Sequence, residues 1–209
     1  MTTSKKQFKP CGIIPAVVTP LTAAGSFSES AMRKLISYLI DGGVHGLFVT
    51  GTTGEFYGLS PEEKKEIFQV TLDETKGRVP VYAGTNGITT RESVMLTQLA
   101  EECGVDAVSV LTPMFITPSQ EQLITHYKTI AANTALPVLM YNNPPKTGVN
   151  LAAPTVAKLA EVPNIVSIKD SSGDLTLTAE YIRLTRGIEN FNVLMGRDTL
   201  IYGALCYGA

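Results

Sequence analysis

The chain predicts an α/β fold with a parallel sheet covered by helices, and three observations predict it. Short apolar runs alternate with amphipathic stretches at intervals of roughly thirty residues, the size of one βα unit. The runs are apolar on both faces, as strands buried between layers are. The unusual polar residues Thr52, Thr53, Tyr141, Lys169 and Arg197 fall at or just past the C-terminal ends of different runs. A doubly wound sheet and a (β/α)₈ (TIM) barrel both fit the period, and a doubly wound sheet still collects some strand ends at a switch point. A barrel gathers all of those ends into one mouth, so the third observation points to the barrel.

Taken in order, the first run is Gly12 to Val18, and the helix after it carries Met32, Leu35, Ile36, Leu39 and Ile40 on one face before Gly42-Gly43 stops it. Gly46 to Thr50 is a second strand and leads into a glycine-rich loop. Ser60-Pro61-Glu62-Glu63 then supplies an N-cap serine, a proline at the first helical position and a glutamate two residues on, which is a capping box. Val79 to Gly84 precedes a helix near Arg91 to Cys103, and Asp106 to Leu111 precedes one near Ser119 to Ala132. Leu136 to Tyr141 is followed by a helix near Ala153 to Ala160, and the strand ending on Lys169 by one near Leu175 to Arg186. Phe191 to Gly196 is the seventh strand, with a short helix near Asp198 to Cys206 after it. If Gly208-Ala209 opens an eighth, the barrel is truncated before or at that strand, and the expectation is a single barrel domain over 1–209 that is a fragment of a longer chain.

Composition narrows the class. With 44% hydrophobic and 17% charged residues the chain can bury a sizeable core. No apolar run is long enough to span a bilayer, and Met1 to Lys6 lacks the apolar core of a secretory signal, so the expectation is a cytoplasmic protein without a membrane partner. A net charge of −2 and only two lysine pairs, Lys5-Lys6 and Lys64-Lys65, offer no nucleic-acid footprint, the second pair reading as a solvated helix face. Cys11, Cys103 and Cys206 are widely spaced and read as buried free thiols. His45 and His126 read as structural, without metal-ligand spacing.

The chemistry centres on Lys169. Alternation puts Ile165, Ser167 and Lys169 on one strand face, with Val166 and Ile168 on the other, and the Asp-Ser-Ser-Gly that follows reads as a turn. A desolvated ammonium loses its proton more easily, and a free amine is what a Schiff-base nucleophile requires. The competing reading is a strand-end lysine whose stem snorkels to solvent. The loop Gly51 to Gly58 is either a tight turn or an anion cradle of backbone amides and threonine hydroxyls. Tyr141, followed by Asn142-Asn143-Pro144-Pro145, is a core aromatic or a proton shuttle.

Together, GTTGE at 51–55, YNNP at 141–144 and IKDSSG at 168–173 resemble the motif set of the dihydrodipicolinate synthase and N-acetylneuraminate lyase family, in the right order and over essentially the whole chain. The resemblance implies a (β/α)₈ barrel, usually a tetramer, that binds pyruvate or a 2-oxo acid as a Schiff base without a cofactor. It implies that Lys169 forms the imine, that Thr53, Gly54 and neighbouring amides hold the carboxylate, and that Tyr141, linked to Thr52, passes protons. Gly196 matches a glycine at the mouth of the family's site. Phe115 stands where the family's synthases usually carry a tyrosine that completes a hydroxyl relay across the subunit interface. Lys146 stands where they usually carry an arginine for the second substrate's carboxylate, and a lysine lacks the bidentate fork. Tyr57, Lys64 and Met114 differ from the residues of the synthases' lysine-inhibition site, so lysine feedback is not expected. N-acetylneuraminate lyases usually have Ser-Thr where Thr52-Thr53 stands. The expected activity is a carbon–carbon lyase or synthase with a small-molecule 2-oxo acid and an aldehyde as substrates. Condensation of the synthase type competes with cleavage of a 2-oxo-3-deoxy sugar acid, and the Phe115 and Lys146 departures lean toward the second. A non-catalytic 2-oxo-acid-binding barrel is the alternative.

Overall fold

The structure, a computed structural model, describes residues 8–209. The readings of Met1 to Lys6 therefore lie outside the described residues. Six parallel strands pair in chain order: β1 (Leu47–Val49), β2 (Val81–Gly84), β3 (Ala107–Leu111), β4 (Val138–Asn142), β5 (Ile165–Asp170) and β6 (Asn192–Met195). Helix α1 (Glu29–Asp41) precedes β1; between the strands run α2 (Pro61–Thr75), α3 (Thr90–Cys103), α4 (Gln120–Ala132), α5 (Pro144–Thr147), α6 (Ala153–Ala160) and α7 (Leu175–Thr185), with α8 (Ile201–Tyr207) after β6.

The sheet is strongly curled. Strands are spaced by about 4.8 Å, so β1 and β5 would lie roughly 19 Å apart in a flat sheet. Instead the Lys169 ammonium on β5 sits 4.7 Å from the centre of the Phe48 ring on β1. The curl divides the core in two. Outside, Ile36, Ile67, Leu123, Val156 and Tyr181 of the helices pack on the convex face. Inside, Phe48, Tyr82, Ala107, Leu139 and Val166 fill the concave side.

Five expectations are corrected, that of three buried thiols among them. The run Gly12 to Val18 does not form a full strand: it lies beside β1 with one parallel bridge, Ala16 to Phe48, because Pro15 has no N–H to donate and Gly12 turns the chain at φ +80°. Gly208-Ala209 opens no strand, since Gly208, at φ +102°, caps α8. Alternation along β5 is broken by a bulge. Val138 pairs with Ile165 and the next residue, Leu139, with Ser167, so Val166 is the extra residue. Ile165 consequently joins the outer core with Ile168, and Val166 the inner one. Finally, Lys64 is not solvated: it lies on the buried stripe of α2 with Ile67, Phe68 and Thr71, while Lys65 is exposed. Of the cysteines, Cys11 and Cys206 are exposed and Cys103 is half-buried. Cys11 lies on the incompletely paired first segment and Cys206 on the outward face of α8.

Candidate active site

A cavity of about 1210 Å³ opens inside the curl, and Thr53, Tyr141, Lys169 and Gly196 all line it. Lys169 and Tyr141 are register partners across β5 and β4, so both point to the concave side. The ammonium lies between two rings, 4.5 Å from the centre of Tyr141 and 4.7 Å from that of Phe48, which meet edge to face. Burial lowers the lysine's pKa, with the Tyr141 oxygen and Asp198 opposing, and the net direction is down. A lowered lysine pKa enlarges the fraction present as free amine.

Tyr141 is buried, and its oxygen accepts from the side-chain amide of Asn143 at 3.0 Å and, at a longer 3.5 Å, from the Thr52 hydroxyl. Burial pushes its pKa up, but the Lys169 charge and the hydrogen bonds of Thr52, Ser171 and Asn143 outweigh this and bring it below the ordinary phenol value.

The turn after β5 is built by Asp170. Its carboxylate is buried on the face opposite Lys169 and accepts from the Ser172 amide, the hydroxyls of Ser172 and Thr178, and the Asn142 side chain. Asn142 and Asp170 are themselves register partners, so this bond ties together the residues that follow Tyr141 and Lys169. Gly196 closes the floor. A Cβ there would stand 2.1 Å from the Ser171 hydroxyl and 2.9 Å from Cε of Lys169, so only glycine lets β6 come this close.

The loop after β1 presents Thr53 to the cavity. Thr50 and Glu55 adopt positive φ, and the Thr19 hydroxyl donates to the Gly54 carbonyl at 2.7 Å. A Cβ on Gly54 would meet the Val17 carbonyl at 2.9 Å, so this glycine packs the loop against the first segment. Pro144 and Pro145 begin the short helix α5, which Gly148 ends at φ +70°.

The structure thus brings together Lys169, Tyr141, Thr52, Thr53 and Gly196. It does not bring in Lys146, which is exposed on α5 and does not line the cavity. Neither His45, which accepts from the Ile13 amide, nor His126, paired with Thr90, lines it. Phe48, Asn143, Ser171 and Asp198 escaped the sequence reading. The period of two in Gly46 to Thr50 sets Phe48 apart from Leu47 and Val49, and was the available signal for it.

The profile of the Dihydrodipicolinate synthetase family matches residues 9–209. The chain belongs to this family. Its relatives include 4-hydroxy-tetrahydrodipicolinate synthases of Bacillus velezensis, 44% identical over 94% of this chain and 67% of the relative, and of Bacillus subtilis, 45% identical over 92% and 66%. Among solved members of the family, a dihydrodipicolinate synthase of Bacillus anthracis superposes with a TM-score of 0.93 at 40% identity, over 97% of this chain and 69% of that one. The E. coli prophage protein YagE, solved in complex with pyruvate, gives a TM-score of 0.92 at 36% identity, over 95% and 67%. The chain therefore spans about two thirds of the length of the family members it matches.

Proposed function

We propose that the chain carries the Schiff-base site of a carbon–carbon lyase or synthase acting on pyruvate or a related 2-oxo acid, within what would be a (β/α)₈ barrel. The observation that carries this is the half-buried Lys169, lying between two aromatic rings beside a phenol of lowered pKa. In this reading Thr53 and the amides around Gly54 take the substrate carboxylate. The free amine of Lys169 attacks the 2-oxo carbon, and the carbinolamine loses its oxygen as water, with Tyr141 supplying the proton. The protonated imine withdraws electrons from the adjacent carbon, whose proton passes to the Tyr141 phenolate left by the dehydration, giving an enamine. The enamine adds to an aldehyde carbonyl, forming the new carbon–carbon bond, and the reverse sequence cleaves one. Lys146 lies outside the cavity, so its contact with a second substrate is no part of this reading. A homo-oligomer in the cytoplasm is; light scattering checks the oligomer.

Intact mass after incubation with pyruvate and borohydride tests the proposal. Wild type is expected to gain one reduced pyruvate adduct and Lys169→Ala none. A folded wild type that gains no adduct would overturn the enzyme reading in favour of a binding barrel.

A further inference from the structure

Asn143 stands just before the proline pair of the loop after β4, and its side chain makes a shorter hydrogen bond to the Tyr141 oxygen than Thr52 does, 3.0 Å against 3.5 Å. Asn143 is buried and firmly held. It precedes α5, and its backbone carbonyl accepts from the amides of Lys146 and Thr147 and from the Thr147 hydroxyl. Thr147 in turn accepts from the Thr112 hydroxyl at the end of β3.

The chemistry of the donor matters. A phenol oxygen has two lone pairs and one hydrogen. A hydroxyl such as Thr52 can donate to it or accept from it, and so can pass a proton on. An amide N–H only donates and does not release its proton near neutral pH. Asn143 therefore occupies one lone pair permanently, favours the phenolate and ends the proton path on that side, leaving the Thr52 and Ser171 hydroxyls and the cavity as the remaining directions.

We propose that Asn143 is a positioning residue for proton transfer: its amide holds the Tyr141 oxygen toward the cavity and stabilises it when the proton has left. The proposal rests on the Schiff-base reading. The charged groups around the phenol are few: Lys169 lies over its ring, Asp198 acts on Lys169, and Thr52 and Ser171 are neutral hydroxyls.

Exchange of the pyruvate methyl hydrogens with D₂O, followed by proton NMR, tests the proposal without any aldehyde. Borohydride trapping is run in parallel. Asn143→Leu removes the donor at similar volume, and Asn143→Asp keeps the shape but puts an acceptor where the donor stood. Both are expected to form the trapped imine. The exchange kcat of Asn143→Leu should fall about tenfold with KM for pyruvate within twofold, the loss expected for one hydrogen bond to a charged group. The acid limb of its kcat–pH profile should move up, and that of Asn143→Asp further. In a Tyr141→Phe background Asn143→Leu should have no further effect. Unchanged exchange and pH profile in a folded variant, a loss confined to KM, or full additivity with Tyr141→Phe would overturn the proposal while leaving the imine intact. No trapped imine on wild type would instead overturn the reading beneath it.

Discussion

Gly196 shows how closely the site is built. With Cε of Lys169 2.9 Å and the Ser171 hydroxyl 2.1 Å from where a Cβ would stand, even a methyl group must displace both. Gly196→Ala is therefore expected to cut pyruvate imine formation at least tenfold while the fold survives, read by trapping rate beside circular dichroism. An Ala variant that traps at the wild-type rate would show that β6 has room to move. Tyr141→Phe keeps the ring over Lys169 but loses the oxygen that three side chains address. It should still fold and should lose methyl-proton exchange by two or more orders of magnitude, the scale of one positioned acid–base group. Near-normal exchange in a folded Tyr141→Phe protein would remove the phenol from the chemistry.

At the level of elements, helix starts follow their sequence signals. Ser60 with Glu63 and Ser119 with Gln122 both form reciprocal capping boxes, and Thr89 and Asp174 cap α3 and α7. Ser60→Ala should lower stability by about 1 kcal/mol in denaturant titration. His126 on α4 makes a second prediction. It is buried, with Nδ1 bonded to Thr90 and no partner on Nε2, and burial pulls its pKa down from 6.5 to about 4. The unfolded chain thus binds a proton that the folded one refuses between those values, so stability falls as pH drops from about 6.5 toward 4. Urea midpoints should show a loss of about 2 kcal/mol between pH 7 and pH 5, at 1.36 kcal/mol per pKa unit, and a smaller loss in His126→Gln. Equal losses in the two proteins would place the acid sensitivity elsewhere. What the pattern of residues could not convey was a bulge. Strict alternation predicted Ile165 on the lysine face, and the extra residue Val166 reversed it, although Ser167 and Lys169 kept the predicted face. The burial of Lys64, by contrast, was legible in its spacing from Ile67, Phe68 and Thr71.

Across the whole molecule, the parallel sheet and the gathering of strand ends were legible because each βα unit carries its own periodicity, although the seven runs counted reduce to six paired strands among the described residues. The curl was legible only through where the polar residues fall, since it is a property of the sheet and of no single unit. Curl is also what makes the site: it moves Phe48 of β1 across to Lys169 of β5, which no local pattern encodes. The same geometry separates the half-buried Lys169 from the buried Lys64. Among the described residues both Lys64 and Lys169 have pKa values lowered by burial, but only Lys169 lines the cavity with Thr53 and Tyr141. Peptide mapping of the borohydride-reduced pyruvate adduct distinguishes them most directly. The adduct should lie on Lys169 alone, whereas modification of Lys64, or of several surface lysines equally, would contradict the assignment of the site.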